Sequence, residues 1–323
     1  MKVTFSLFLT LLLCLVSCAK SKDPNSQSAY YEQNGKLKVL STTAMIDDLV
    51  GKIGGEHVDH ITLVTAQLDP HSYELVKGDD EKIAFASLVI GNGLNLEHGA
   101  SLRYQLEQHG NTVFLADKIQ QRFPNKILTV NGELDPHIWM DISIWAEGID
   151  PIVEALSQLD PDHQQDYRHN GEVLRLEMLS THQSILDELR EVDEKQRYLV
   201  TSHDAFHYFT RAYLSEGQDI GERCMAPEGL APDGQLSSQD ILRVVNHLSR
   251  HQIGVVFPES NVNRDALHKI IASCKHPVYI SDQSLYGDAM GDAGSGADTY
   301  LGMIQHNAKV LKEEWQAQLK SNR

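Results

Sequence analysis

A long amphipathic stretch near the middle of the chain limits the folds that this sequence can adopt. From position 161 to 192, apolar residues such as Leu174 and Met178 recur every three to four positions, and the opposite face is charged. Pro161 suits the first turn of a helix, and only Gly171 weakens the pattern. The stretch therefore predicts a single rigid helix of about 45 Å, at a rise of 1.5 Å per residue.

On both sides of this helix, short β-branched runs alternate with segments of helical periodicity, which favours parallel sheets covered by helices. The predicted strands are Leu37–Ser41, His60–Val64, Ser87–Gly91, Thr112–Ala116, Arg197–Thr201, Gly254–Pro258 and Pro277–Ser281. The other predicted helices are Ala44–Ile53, Leu96–His109, Ala205–Tyr213, Ser237–His251, Arg264–Cys274 and Thr299–Gln318. About 290 folded residues exceed what one hydrophobic core usually serves. We therefore expect an α/β fold of two lobes, 37–160 and 193–323, each with a mostly parallel sheet flanked by helices and joined by the helix at 161–192.

The first residues have the pattern of an export signal. One lysine precedes an apolar run that is too short to span a bilayer, and the run ends in Leu-Val-Ser-Cys18, the spacing of a bacterial lipoprotein cleavage site. We expect a signal peptide at 1–17, a lipidated Cys18 and a flexible polar tether at 18–36. The alternative is an ordinary secretory signal cut near Ala19. In either case the mature chain works outside the cytoplasm, as a periplasmic or otherwise extracytoplasmic protein.

The charge balance excludes some partners. Residues 1–17 contain one lysine and no acidic residue, so the mature chain keeps 27 basic and 45 acidic residues, a net charge of −18. Nucleic-acid binding calls for clustered lysine and arginine, and an anionic membrane surface would repel this chain. An acidic protein suits cations, although acidity mostly serves solubility.

The chain has four cysteines, but Cys14 is removed with the signal peptide and Cys18 carries the lipid, so two are left that could form a disulfide. Because the compartment is oxidising, we expect Cys224 and Cys274 to form a disulfide. A cysteine metal site is the weaker alternative, since the sequence contains no C-x-x-C.

A repeated tetrapeptide marks the candidate site. Leu-Asp-Pro-His occurs at 68–71 and again at 134–137, each time with an aromatic residue two positions after the histidine. Proline fixes its own φ and restricts the preceding aspartate, so His71 and His137 are predicted to emerge from rigid turns near strand ends, where α/β folds place ligands. Each aspartate either orients its imidazole or merely caps the turn.

The second half offers Thr-Ser-His-Asp-Ala-Phe-His, which places His203 at the end of a predicted strand. His207 lies four positions later, a spacing that could put both histidines on one helical face as an i,i+4 metal pair; we favour His203 alone, because it precedes the helix. Ser202, His203 and Asp204 are consecutive and cannot converge into a hydrolase relay.

A glycine-rich segment, S-L-Y-G-D-A-M-G-D-A-G-S-G-A-D, supplies a loop that can approach a ligand closely. It matches no phosphate-binding motif, and acidic residues repel phosphate. Four aspartates compete for a role as ligand: Asp282, Asp288, Asp292 and Asp298.

Four motifs together, L-D-P-H-S-Y-E, D-P-H-I-W-M, S-H-D-A-F-H-Y-F and S-L-Y-G-D-A-M-G-D, resemble those of the metal-binding extracytoplasmic solute receptors of ABC importers, of the manganese/zinc/iron type. The resemblance extends from Lys36 to Gln318. It implies a metal site made by His71, His137, His203 and Asp288. In this chain glycine precedes Asp288 where the family pattern has serine.

The resemblance implies a receptor, not an enzyme, that captures Mn²⁺, Fe²⁺ or Zn²⁺ and passes it to a permease and its ATPase, acting as a monomer. Only His98 and His109 lie between the first two motifs, so the His-rich loop of many zinc receptors is missing, which favours Mn²⁺ or Fe²⁺ in the cell. A zinc hydrolase with three histidines is the alternative from another class, and a surface adhesin is a third.

Two further expectations concern the C-terminal lobe. The segment at 221–240 is rich in proline and glycine, and we expect a surface loop pinned by the Cys224–Cys274 disulfide, outside the site. Glu259 follows a predicted strand and either reaches the cleft or caps the next helix, which we favour.

Overall fold

The computed structural model describes residues 30–321, apart from positions 66–67, 216, 218 and 233–235. The predicted signal peptide, Cys18 and most of the predicted tether lie outside the described residues. None of the helices in the described ranges has the length and apolarity that a membrane crossing requires.

The first half of the chain is built on a parallel sheet with strand order β2-β1-β3-β4. Its strands are β1 (Leu37–Ser41), β2 (Val58–Thr62), β3 (Leu88–Gly91) and β4 (Thr112–Phe114). A separate antiparallel hairpin pairs β5 (Thr129–Val130) with β6 (Glu133–Leu134). The helices are α1 (Ala44–Gly54), α2 (Asp79–Phe85), α3 (Ala100–Gln108), α4 (Leu115–Arg122), α5 (Ile142–Trp145) and α6 (Ile149–Leu159).

The long central helix predicted from the sequence is confirmed as α7 (Gln164–Arg190), preceded by a 3₁₀ turn at Pro161–His163. It packs against α1 and α6 of the first half and against the C-terminal helix of the second. Gly171, which weakened the helical pattern, is buried against α6. A Cβ at this position would lie 2.9 Å from a methyl group of Ile149, so glycine allows the two helices to approach closely.

Within its described residues, the second half has four short parallel strands. They are β7 (Leu199–Val200), β8 (Cys224–Met225), β9 (Val255–Val256) and β10 (Tyr279–Ile280). The β7–β8 and β9–β10 pairs are joined by a hydrogen bond of 2.8 Å from the Phe257 N–H to the Val200 carbonyl. The helices are α8 (His207–Tyr213), α9 (Ile220–Arg223), α10 (Ser238–His251), α11 (Asp265–Ser273) and α12 (Tyr300–Ser321). The predicted α/β class with sheets flanked by helices is confirmed.

The predicted disulfide is wrong for this structure, because both thiols are free. Alternate residues of the C-terminal strands face two different hydrophobic clusters. Cys224 lies in the large cluster and Cys274 packs against the smaller one, so the two cysteines lie on opposite sides of the sheet. The segment at 221–240 was predicted to be a surface loop, but it includes strand β8, whose first residue, Cys224, is buried.

Candidate metal centre

The structure brings together the four side chains that the resemblance implied as ligands. His71, His137, His203 and Asp288 each offer one donor atom, and these atoms all lie within 4.8 Å of one another. The four residues are between 0% and 4% exposed. They come from separate loops, two in each half of the chain. Residues more than two hundred positions apart therefore form one compact cluster.

The spacing of the donor atoms matches the coordination of a small cation. The Nε2 atoms of His71 and His137 are 3.2 Å apart. The nearest oxygens of Asp288 lie 3.1 Å from Nε2 of His203, 3.4 Å from that of His137 and 3.7 Å from that of His71. A tetrahedron with metal bonds of about 2.1 Å has edges of about 3.4 Å. These four separations are thus close to the donor spacing of a four-coordinate transition-metal site.

The two Leu-Asp-Pro-His copies use their aspartates differently. In the second copy Asp135 accepts from the backbone N–H of His137 at 3.0 Å and lies 2.7 Å from its Nδ1. With Nδ1–H held in this way, Nε2 of His137 presents its lone pair to the centre. In the first copy Asp69 accepts from the backbone N–H of His71 at 2.9 Å and from the Ser72 hydroxyl at 2.6 Å, so it caps the turn. Both aspartates therefore cap their turns, and only Asp135 also contacts the imidazole of its own motif.

The turn that carries His137 is anchored from both halves of the molecule. The side-chain amide of Asn92, directly after β3, donates to the Pro136 carbonyl at 3.1 Å. The Tyr208 hydroxyl on α8 donates to the carbonyl of Asp135 at 2.9 Å. His207 lies on the same helix with Nδ1 3.2 Å from Asp135, so it contacts the supporting carboxylate and is outside the group of four donors.

His203 follows β7 and is faced by Glu259, for which the sequence analysis left two roles open and favoured the helix cap. Glu259 is 1% exposed, and one of its oxygens lies 2.8 Å from Nδ1 of His203. The other oxygen accepts from the backbone N–H groups of Ser202 and His203 at 3.0 and 2.9 Å. The expectation that Glu259 caps α11 is wrong, because that helix begins at Asp265. Its position one residue after a strand-ending proline was the only signal in the sequence.

Asp288 lies in the loop between β10 and α12, while its competitors Asp282 and Asp292 are exposed. The preceding Gly287 packs closely against Glu259, because a Cβ at position 287 would lie 2.4 Å from a carboxylate oxygen of that residue. Within the described residues, neither oxygen of Asp288 has a well-aligned hydrogen-bond donor. A buried carboxylate without such donors is costly, and a cation at the centre removes that cost.

The electrostatics of the cluster favour positive charge at its centre. Burial lowers the pKa of His71 to about 4, which keeps this imidazole neutral at pH 7. Burial also lowers the pKa of His203, but Glu259 and Asp288 together raise it by more, to well above its usual value. Burial raises the pKa of Asp288, but the neighbouring histidines lower it by more, so the net shift of this pKa is downward. Asp288 is therefore ionised at neutral pH.

Hydrogen bonds close the two halves around the cluster. The Trp139 indole N–H donates to the Gly287 carbonyl at 2.9 Å, and the Tyr300 hydroxyl donates to the Trp139 carbonyl at 2.7 Å. Both bonds connect the loop of His137 with residues of the second half. The loops carrying His137 and Asp288 are thereby held face to face.

Two α/β lobes that enclose such a buried three-histidine, one-carboxylate cluster define a receptor for a metal ion. The comparison with protein families identifies the class. A family model described as "Zinc-uptake complex component A periplasmic" matches residues 39–314, and the chain belongs to this family. The resemblance stated from the four motifs is confirmed.

Relatives with known names cover nearly the whole chain. The metal-binding protein YtgA of Chlamydia trachomatis is 38% identical over 96% of this chain and 95% of its own length. The manganese-binding lipoprotein MntA of Bacillus subtilis is 32% identical over 88% of this chain and 92% of its own length. These proteins belong to the class of metal-binding receptors that the sequence predicted.

Solved structures share the fold. The crystal structure of Fe(III)-bound YtgA from Chlamydia trachomatis covers 86% of this chain and 97% of its own, with a TM-score of 0.81 and 39% identity. The periplasmic zinc-binding protein TroA from Treponema pallidum covers 87% of this chain and 99% of its own, with a TM-score of 0.79 and 26% identity. The named relatives thus include binders of iron, manganese and zinc.

Proposed function

We propose that this chain captures a transition-metal ion outside the cytoplasm and delivers it to the membrane permease of an ABC importer, which works with an ATPase. His71 and His137 from the first lobe, and His203 and Asp288 from the second, are the proposed ligands. The observation that carries the proposal is the convergence of four buried donor atoms within 4.8 Å of one another.

The proposed cargo is a divalent ion, Mn²⁺, Fe²⁺ or Zn²⁺. Three imidazoles and a carboxylate suit Zn²⁺, and the Irving–Williams order gives Zn²⁺ tighter binding than Mn²⁺ or Fe²⁺ at such a site. The absence of a His-rich loop between His71 and His137 nevertheless favours Mn²⁺ or Fe²⁺ as the physiological cargo. Selectivity then comes from metal supply and from the importer. Elemental analysis of protein purified from its own host, without added metal, tests this assignment.

The remaining proposals concern location and organisation. Residues 1–17 act as a signal peptide, Cys18 carries lipid, and 18–36 tether the receptor to the membrane. The lobes 37–160 and 193–323, with 161–192 between them, act as one monomeric receptor. Mass spectrometry of the mature N-terminus tests the lipid, and light scattering tests the monomer.

The hydrolase alternative receives no support from the donor set. A zinc hydrolase keeps a metal position open for water and supplies a separate general base. Here Asp288 provides a fourth donor, and the buried carboxylates Asp135 and Glu259 face imidazole nitrogens. These contacts suit capture of an ion better than activation of water.

The decisive experiment compares His71→Ala with the parent after chelator treatment. At a thousandfold excess of ligand over Kd, binding stabilises the folded state by roughly 4 kcal/mol. We expect Mn²⁺ or Zn²⁺ to raise the melting temperature of the parent and of His169→Ala, a change at an exposed position of α7, but not that of His71→Ala. If His71→Ala binds as tightly as the parent, the proposed function is wrong.

A further inference from the structure

A cavity of about 530 Å³ adjoins the metal centre and shares His71 with it. Most of its lining comes from the first lobe, between Gly93 and Pro136, and the second lobe adds Leu230 and Ala231. The cavity thus lies where the two lobes meet, and one of its walls is a proposed metal ligand. Of the four proposed ligands, His71 is the one that lines this cavity.

His98 is a second imidazole on the wall of this cavity, and no role was assigned to it above. Its ring centroid lies 5.8 Å from that of His71. The three proposed ligands have ring separations of 5.2, 5.4 and 6.2 Å from one another. The His98–His71 separation falls within this range. The two rings are therefore as close as imidazoles that can bind one ion.

A backbone contact positions the imidazole of His98. Its Nδ1 lies 3.3 Å from the carbonyl of Asn95, three residues earlier in the same turn. Unlike the four proposed ligands, His98 is only half-buried. It therefore combines access to solvent with proximity to the buried centre.

The loop that presents His98 has an unusual backbone. Three consecutive residues, Gly93, Leu94 and Asn95, have positive φ angles of 83°, 49° and 62°. The conformation is strained for leucine, and it is held by the buried carboxylate of Glu97, which accepts from the backbone N–H groups of Asn92 and Gly93. A strained and firmly anchored loop fixes the position of the imidazole relative to the centre.

The charge of the cavity lining favours cations. Among its described lining residues, the charged ones are the acids Glu97, Glu107, Asp117 and Glu133 and the base Arg103, which pairs with Glu107 at 3.0 Å. A cleft lined with one sign of charge concentrates ions of the opposite sign and speeds their association.

We propose that His98 is a transit ligand, which binds a partly hydrated divalent transition-metal ion in the cavity and transfers it to His71. This inference rests on the proposed function and adds a route to the site. A transit ligand acts on rates and leaves the final bound state unchanged. Its loss therefore slows association and dissociation by the same factor and leaves Kd as it was.

Stopped-flow fluorescence of the chelator-treated protein with Co²⁺ tests the proposal. The Trp139 ring lies 5.2 Å from that of His137 and reports the arrival of the ion by quenching. Dissociation is followed after mixing the loaded protein with excess chelator. We expect His98→Ala and the bulkier His98→Gln to reduce both rate constants about tenfold, within the range by which steering changes association. The matched control is His109→Ala, whose imidazole contacts the Ala86 carbonyl instead and should keep the parent's rates.

The outcomes separate the two proposals. Parent-like association rates in both His98 variants overturn the transit role and leave the proposed function intact. A weaker Kd with faster dissociation also overturns it, because His98 would then belong to the final site or to its structure. A parent that binds no Co²⁺ at His71 overturns the proposed function itself.

Discussion

The two Leu-Asp-Pro-His turns allow a matched test of what a supporting carboxylate contributes. Asp135→Asn and Asp69→Asn make the same change at the same motif position. Only Asp135 contacts the imidazole of its own motif's histidine, at 2.7 Å, whereas Asp69 accepts from the backbone N–H of His71. We expect Asp135→Asn to weaken metal binding strongly and Asp69→Asn to leave it nearly unchanged.

The magnitude follows from the geometry. The Asp135 carboxylate lies about 6–7 Å from an ion bound to Nε2 of His137, so its attraction for a dication is about 5 kcal/mol at an effective dielectric constant of 20. Desolvation of the buried charge offsets part of this attraction. Removal of such partners typically costs 10–100-fold in metal affinity, or about 1.4–2.7 kcal/mol, which is the loss we expect for Asp135→Asn. For Asp69→Asn we expect less than about threefold, roughly 0.6 kcal/mol.

Competition titration of Mn²⁺ against a fluorescent chelator measures both affinities, and thermal unfolding of the metal-free proteins checks that each variant is folded. Asp59→Asn is a further control. It removes a buried carboxylate that pairs with Lys38 at the opposite end of the first sheet. Equal losses of affinity in Asp135→Asn and Asp69→Asn would refute the reasoning.

Three other changes have expected outcomes. Gly287→Ser should weaken Mn²⁺ binding in the same titration, because the new Cβ displaces the Glu259 carboxylate that faces His203; unchanged affinity contradicts this. Trp139→Phe removes the N–H that bonds to the Gly287 carbonyl and should lower the free energy of unfolding by about 1–3 kcal/mol in a urea titration. His60 is buried, which lowers its pKa, but Asp47 at 3.0 Å raises that pKa by more. The resulting stabilisation is full below pH 6.5 and is lost as the pH rises through the raised pKa, so the stability difference between parent and His60→Gln should shrink from pH 6 to 9. A difference independent of pH excludes this ion pair.

Periodicity predicted the elements whose burial has a regular pattern. The strand at Leu37–Ser41 was predicted to the residue, and the helix over 161–192 differs from the observed Gln164–Arg190 only at its ends. The amphipathic α6 (Ile149–Leu159) lies in a stretch, 141–160, for which no element was predicted. The hairpin β5–β6 was missed although Asn131-Gly132 between its strands is a known turn signal, and both residues have positive φ.

The candidate ligands were predicted from the motifs. The residues that hold these ligands in position could not be predicted, because they act through long-range contacts that no local pattern encodes. Glu259 meets His203 across 56 positions, and Trp139 meets Gly287 across 148. Both motif aspartates cap their turns, but only Asp135 also contacts its histidine ring, a difference that the shared sequence could not predict. The cysteines were paired by compartment alone, without knowledge of which side of the sheet each one faces.

The continuity of α7 affects how an importer can recognise the loaded receptor. A helix of 27 residues, about 40 Å long, packs against both lobes, so the described link between them is largely helical. Long helices curve only gently, so a wide swing of one lobe would have to break the packing of α7. Conformational differences between loaded and empty protein should therefore be concentrated in the loops that carry the four ligands. A permease would then recognise the loaded receptor by the changed shape of these surface loops and not by a large movement of one lobe relative to the other.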